Sequence, residues 1–180
     1  EMTAKEFGFT REQQDAFALT SLNRSIEATE KGCFKEEITP VSAPVGAKNL
    51  SPEDAIMTQD EGVDPSKRVK IARLKPVFSA DGTITAANAS SISDGAASVI
   101  LMRLSEAEKR GIIPLAKIIA HSTHAQAPEH FTIAPIGAIE KVLAKANWTK
   151  DQVDLFEINE AFAVVTMAAM EKLELSHDKV

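Results

Sequence analysis

The amino-acid sequence predicts an α/β fold, in which amphipathic helices alternate with short apolar strands. Helical periodicity with start and stop signals recurs along the chain, and apolar runs too short for helices stand at 96–102 and 153–158. The 180 residues are 44% hydrophobic and 26% charged, which is typical of a globular protein with an ordinary core. These observations together favour layers of helices packed on sheets.

The first half of the chain combines one long helix with a loop-rich segment. Thr-Arg-Glu-Gln at 10–13 has the form of a capping box and predicts a helix that runs to about Lys31 and ends at Gly32. From Glu36 to Phe78, prolines and glycines interrupt every pattern. This stretch is too long for a simple connection, so it is predicted to be an extended excursion from the main fold.

Beyond the turn signal Asp-Gly at 81–82, the pattern becomes regular again. Ser-Glu-Ala-Glu at 105–108 has the form of a second capping box, for a short helix that ends at Gly111. The other predicted elements, in chain order, are a strand at 83–85, a buried strand at 96–102, a strand at 114–120, a helix at 136–146, a strand at 153–158 and a helix at 160–173.

Charge and cysteine content exclude several classes of protein. The formal net charge of −6 argues against a nucleic-acid binder, which needs a basic face to neutralise phosphates. No run of 18 apolar residues is present, so no membrane span is predicted. The single cysteine, Cys33, cannot form an internal disulfide and fits a reducing compartment. We therefore predict a cytoplasmic protein, with the mitochondrial matrix as the alternative.

The sharpest chemical feature is Asn-Glu-Ala-Phe-Ala at 159–163, between a predicted strand and a predicted helix. Ligand sites in α/β folds lie beyond the carboxyl ends of strands, and an amide there can hold a water or an oxyanion. The alternative is that Asn159 caps the helix, a common use of asparagine. The pattern alone favours the cap.

A second feature is the run of small residues Asn-Ala-Ser at 88–90, followed by Ser-Asp-Gly-Ala-Ala at 93–97. Small side chains let a ligand approach the backbone, and a serine hydroxyl could bond an amide of that ligand. The alternative is tight packing with an Asp-Gly turn, which the spacing alone favours.

Taken together, these segments resemble the thiolase family in order and in spacing, and the resemblance covers essentially the whole chain. Asn-Glu-Ala-Phe after an apolar strand is its most specific part. The segments that carry it are Gln14–Ala18, Leu74–Phe78, Thr83–Ala97, Pro135–Ala138 and Asn159–Ala163.

The resemblance implies a five-layered αβαβα fold, of which this chain holds a part, with a loop-rich inserted domain. Residues 1–80 would form the loop domain and its leading helix. Residues 81–113 would end the N-terminal thiolase half, and residues 114–180 would begin the C-terminal half.

The activity that the resemblance implies is acyl transfer between coenzyme A thioesters, by reversible Claisen condensation of acetyl-CoA or thiolysis of 3-ketoacyl-CoA. Acyl-CoA would be the substrate, with no permanently bound cofactor, and the intact enzyme would be a homodimer or homotetramer. The alternatives are a degradative long-chain 3-ketoacyl-CoA thiolase and a non-catalytic, thiolase-like protein that binds coenzyme A or lipid.

The family's site residues carry over to matching positions. Asn159 would hold a water that, with a histidine, forms an oxyanion hole for the thioester enolate. The other matching positions would contact the coenzyme or its acyl group: Ser90 at the pantetheine, Ala161 and Phe162 along its tunnel, Phe131 at the acyl pocket, Phe78 beside the coenzyme, and Lys67 or Arg68 at the nucleotide, where the alternative is a solvated basic turn.

The family's remaining catalytic residues have no counterpart here. Cys33 is followed by Phe-Lys and is incidental, and no histidine precedes a proline, so none of the four histidines is given a role. We therefore expect a fragment that is inactive alone, with the nucleophilic cysteine before residue 1 and the Gly-His-Pro histidine and Cys-x-Gly cysteine after residue 180.

A metal is not assigned to any residue. The variant Ala-Ala-Asn-Ala at 86–89 resembles thiolases that bind potassium, but those enzymes add a tyrosine from the preceding helix. Leu22 stands at that position, and the chain contains no tyrosine. The departure counts against a potassium site.

Overall fold

A computed structural model describes residues 1–42 and 56–180; part of the predicted loop-rich excursion, residues 43–55, lies outside that description. The chain forms two compact units. The first unit comprises Glu1–Phe9 and Ala89–Val180, and the second unit comprises Thr10–Asn88.

Helices make up most of the regular structure in the described residues. The α-helices are α1 (Met2–Phe7), α2 (Arg11–Glu30), α3 (Leu104–Lys109), α4 (Ala134–Ala146) and α5 (Ala163–Leu173). Short 3₁₀ turns occur at Pro65–Lys67, Ile71–Arg73, Pro128–Ile133, Lys150–Gln152 and His177–Lys179. The strands β1 (Val41–Ser42) and β2 (Ile56–Met57) pair antiparallel, with Val41 opposite Met57.

The core of the first unit is built around α5. Its sequence is apolar on nearly every side, and such a helix is stable only when it is surrounded. Ala168 and Ala169 are fully buried, and their small side chains allow neighbouring helices to approach closely. Helices α1 and α4 and the turn Pro128–Ile133 pack on it. No helix in the described ranges has the length and apolarity to cross a membrane.

The second unit is organised by α2, whose predicted start and end are confirmed. The hydroxyl of Thr10 accepts a hydrogen bond from the Gln13 N–H at 3.2 Å, and the Gln13 side chain accepts one from the Thr10 N–H at 2.9 Å. Gly32 follows the helix with φ +71°, a conformation that favours glycine. The buried face carries Phe17 and Ile26.

A buried polar network fixes the end of this unit. Asn88 is 3% exposed; its Oδ1 accepts from the Thr85 N–H at 2.8 Å, and its Nδ2 donates to the Thr83 carbonyl and to Asp15 Oδ1, each at 3.1 Å. Asp15 in turn pairs with Arg11 at 2.7 Å. Because nearly every polar group is matched, the network holds the 83–88 turn against α2.

The predicted strands at 83–85, 96–102, 114–120 and 153–158 are wrong as strands. A strand is defined by a ladder of hydrogen bonds to a neighbour, and the described residues provide no such ladder to these segments. Ile100, in the run predicted to be a buried strand, is 84% exposed, and Ile118 and Ile119, predicted to be the apolar centre of the strand at 114–120, are 67% and 52% exposed. Because the described residues give these segments no neighbouring strand, their apolar side chains are left exposed rather than covered by another layer.

Two predicted helix starts are also corrected. Helix α5 begins at Ala163 with Phe162 as its N-cap residue, three positions later than predicted, so the interpretation of Asn159 as a helix cap is wrong. Helix α3 begins at Leu104, after Arg103, and Ser105 lies inside it rather than capping it. Its predicted end at Gly111, with φ +67°, is confirmed.

The exposed apolar segments predict self-association. Replacing Ile100 and Leu115 together by lysine should lower the binding of a hydrophobic dye. It should also reduce the increase of the apparent molecular mass with protein concentration, because exposed apolar surface drives association. Sedimentation measures the mass, and Glu108→Lys, an exposed change without loss of apolar surface, is the control. Equal self-association of the double variant and the native chain would contradict this expectation.

Candidate functional site

Two segments that the sequence singled out separately meet in the first unit. Ala89 and Phe162 form an antiparallel bridge. Next to it, the N–H and the hydroxyl of Ser90 donate to the Ala161 carbonyl, at 3.0 and 3.2 Å. The hydroxyl oxygen of Ser90 keeps its lone pairs, and the side chain is exposed, so it can still accept a hydrogen bond from a ligand amide.

Asn159 lies at the turn that leads into this bridge. Its carbonyl accepts from the Ala161 N–H at 3.0 Å, which folds the backbone back on itself. Its side chain is exposed, and within residues 1–42 and 56–180 the amide has no hydrogen-bond partner. An amide that is fixed by its backbone but unengaged can donate to and accept from a water or a ligand.

A cavity of about 320 Å³ opens beside Asn159. A cavity of this size and apolar character, with a few polar groups at its edge, is typical of a site for a small organic group. It is lined by Phe131, Thr132, Pro135, Ala138, Ile139, Glu157, Ile158, Asn159, Ala161 and Val165.

Phe131, which lines the cavity, contacts a second aromatic ring. Phe131 and Phe162 meet edge to face, with ring centroids 6.5 Å apart. Phe162 also takes part in the bridge to Ala89. The structure therefore brings together five of the eight predicted site residues: Ser90, Phe131, Asn159, Ala161 and Phe162.

The other three predicted residues belong to the second unit. Lys67 donates to the Gly62 carbonyl at 2.8 Å, and Arg68 donates to Asn23 Oδ1 at 2.7 Å, so both exposed cations have partners there. Hydrogen bonds from the Ser66 hydroxyl and N–H lower the pKa of Asp64, which caps this turn as a carboxylate. Phe78 is largely exposed.

The described residues contain no group of three histidine, cysteine or carboxylate side chains that could hold a metal ion. Leu22 supplies no side-chain oxygen, so the position that matches the potassium ligand does not fit that ion. Cys33 is exposed in the turn after α2, and none of the described residues makes a hydrogen bond with its thiol, as an activating base would.

Sequence reasoning did not identify several cavity residues. Pro135 and Ala138 belong to one of the segments that resemble the thiolase family, although neither residue was assigned a role. The resemblance of that segment was therefore a signal that could have identified them. Thr132, Ile139 and Val165 gave no signal, because apolar and small polar residues on helices are typical of a core.

The comparison with protein families matches nearly the whole chain. Residues 1–105 match the thiolase N-terminal domain, and residues 112–180 match the thiolase C-terminal domain. The chain is 42% identical to the human peroxisomal 3-ketoacyl-CoA thiolase and 45% identical to acetyl-CoA acetyltransferase 2 of Arabidopsis thaliana, over its full length in both cases. It spans 43% and 44% of those proteins, less than half their length.

Among solved structures, the chain resembles the acetyl-CoA acetyltransferase of Bacillus anthracis. The TM-score is 0.91 at 36% identity, over 99% of this chain and 44% of that one. The thiolase-like α/β fold class is therefore confirmed, although the predicted strands form no ladders within the described residues. The two family matches and the shared path of the backbone show that the chain belongs to the thiolase family.

Proposed function

We propose that this chain is the coenzyme-facing part of a thiolase that interconverts acetyl-CoA and acetoacetyl-CoA. The observation that carries the proposal is the bridge between Ala89 and Phe162, which places Ser90 beside the Asn159 turn at the edge of an apolar cavity. The activity named for the relatives supports it: both the Arabidopsis relative and the Bacillus structure are acetyl-CoA acetyltransferases.

Asn159 has the electrostatic role in this proposal. Claisen chemistry forms an enolate, and its oxygen needs donors aimed at it before the charge develops. A water held by the Asn159 amide would be one such donor. The exposed amide, which has no partner in the described part of the chain, supports this assignment.

Ser90, Ala161 and Phe162 form the proposed pantetheine wall, with Phe131 toward the acyl group. An exposed hydroxyl beside apolar side chains suits a chain of amides and methylenes. Phe78 and either Lys67 or Arg68 are proposed to contact the nucleotide end of the coenzyme. Both cations already make hydrogen bonds within the second unit, so the alternative for them is a solvated basic turn that does not contact the coenzyme.

The nucleophile is proposed to lie outside these 180 residues. Acyl transfer needs an activated cysteine, and the Cys33 thiol has no hydrogen-bond partner among the described residues. The intact enzyme is proposed to be a cytoplasmic homodimer or homotetramer. The alternatives are a degradative long-chain 3-ketoacyl-CoA thiolase, whose substrate class, 3-ketoacyl-CoA, the name of the human relative shares, and a non-catalytic coenzyme A or lipid binder.

A chimera tests the proposal. These 180 residues would replace the matched 44% of the Bacillus anthracis enzyme, whose remaining chain stays unchanged. We expect the folded chimera to thiolyse acetoacetyl-CoA, with a rate that falls as the acyl chain lengthens. A folded chimera that binds coenzyme A without turnover would support the non-catalytic alternative, and a preference for long chains would support the degradative one.

A further inference from the structure

The segment before the Pro128–Ile133 turn is tied along α4. Contacts to side chains or carbonyls spaced along one helix fix a segment that has no regular structure of its own. The three hydrogen bonds are Lys145 Nζ to the His121 carbonyl at 2.9 Å, Lys141 Nζ to the Thr123 carbonyl at 3.5 Å, and the Ser122 hydroxyl to the Ala138 carbonyl at 2.6 Å.

His124, in the same segment, also packs on α4, at Gly137, which has no side chain. A Cβ atom added at Gly137 would lie 2.5 Å from both Nδ1 and Cε1 of His124 and 2.8 Å from its Nε2. The imidazole thus occupies the space of the missing side chain. Glycine inside a helix is unfavourable by about 1 kcal/mol relative to alanine, which requires a compensating reason such as this close approach.

The hydrogen bonds of this ring have a defined direction. Gln126 donates its Nε2–H to the His130 carbonyl, so its Oε1 faces His124 as an acceptor. His124 therefore donates from Nε2, at 3.2 Å. Its Nδ1 is buried against Gly137 without a hydrogen-bond partner among the described residues.

The hydrogen bonds from His124 through Gln126 end at His130, where the backbone is kinked beside the cavity. His130, whose carbonyl Gln126 holds, has non-helical φ and ψ of −105° and 15° inside the turn. The next two residues, Phe131 and Thr132, line the cavity. The side chain of Gln126, which lies outside the turn, thus holds the kink that directly precedes Phe131 and its contact with Phe162.

We propose that His124 is a positioning residue, which through Gln126 sets the kink at His130 and thereby the placement of Phe131 on the cavity wall. Its importance for acyl-group selection rests on the proposed function. His124 itself does not line the cavity, so it acts only through these neighbours.

Fluorine NMR of the full chain tests this without any coenzyme. All eight phenylalanines would carry a fluorine label, and Phe131→Leu would identify the Phe131 signal. His124→Phe keeps a ring but loses the donor, whereas His124→Gln keeps a donor near Nε2. Gly137→Ala displaces the ring from the other side, with a residue that favours the helix.

We expect His124→Phe and Gly137→Ala to shift or broaden the Phe131 signal, and His124→Gln to restore it. Gly137→Ala should add no further change in a His124→Ala background, because the displaced ring is then absent. Lys145→Met, which breaks another tether of the same segment, should leave the signal unchanged. An unchanged signal in folded His124→Phe and Gly137→Ala, or equal shifts in the Phe and Gln variants, would overturn the proposal.

Failure of the proposed function has a different signature. A chain that binds no coenzyme A but shows the expected fluorine shifts would retain the positioning role and lose the thiolase assignment. A chain that binds coenzyme A but whose Phe131 signal does not change in the His124 variants would retain the thiolase assignment and lose the positioning role.

Discussion

Replacing Asn159 by alanine in the chimera is expected to lower the turnover number for acetoacetyl-CoA thiolysis by about 10²–10³-fold. The amide would act on charge that develops in the transition state, so its loss reduces kcat while coenzyme A affinity stays within a few-fold. Asn159→Asp should be at least as damaging, because a carboxylate beside the enolate oxygen repels it. Steady-state kinetics and a coenzyme A titration measure the two quantities.

The control for this experiment is Gln59→Ala, which removes another exposed amide, far along the sequence from the cavity residues. Its turnover should match that of the unaltered chimera. A loss of coenzyme A affinity as large as the loss of turnover would assign Asn159 to substrate binding, and unchanged turnover would remove it from the oxyanion role.

Replacing Asn88 by leucine is expected to lower the free energy of unfolding of the chain by about 3 kcal/mol. The change leaves the Thr85 N–H buried without its acceptor and removes both donors to Asp15 and the Thr83 carbonyl. Each buried group left unpaired costs about 1–3 kcal/mol, which outweighs the apolar area that leucine adds. Urea unfolding followed by circular dichroism measures the difference.

Asn23 provides the comparison, since its amide oxygen accepts a hydrogen bond from Arg68 at the surface of the same unit. Asn23→Ala should cost no more than about 0.5 kcal/mol, because water replaces the lost partner. Similar costs for the two asparagines would show that the buried network contributes little beyond an exposed hydrogen bond.

Local signals in the sequence predicted the helices well, because their causes are local. The capping box at Thr10 and the left-handed glycines Gly32 and Gly111 act within a few residues of the ends they determine. The predicted strands failed for the opposite reason. A run such as Val99–Met102 becomes a strand only beside a partner, and no local pattern shows whether the chain provides one.

The site was predicted mainly through the family resemblance. Spacing alone favoured a helix cap at Asn159, which the start of α5 at Ala163 contradicts. Spacing also favoured simple packing at Ser90, and the hydrogen bonds of Ser90 to the Ala161 carbonyl are compatible with that alternative as well as with a binding role. The contact between His124 and Gly137 gave no signal, because the residues are thirteen positions apart and only their geometry shows that one fills the space left by the other.

The proposed division of roles puts the oxyanion amide and the coenzyme wall in this chain and the nucleophile outside it, and thiolysis of acetoacetyl-CoA by the purified 180-residue chain is its sharpest test. We expect no enzyme-like turnover, because Cys33 is the single cysteine and its thiol has no hydrogen-bond partner among the described residues. Turnover by the chain alone, above all if it is lost in Cys33→Ser, would place the nucleophile within these residues and overturn that division.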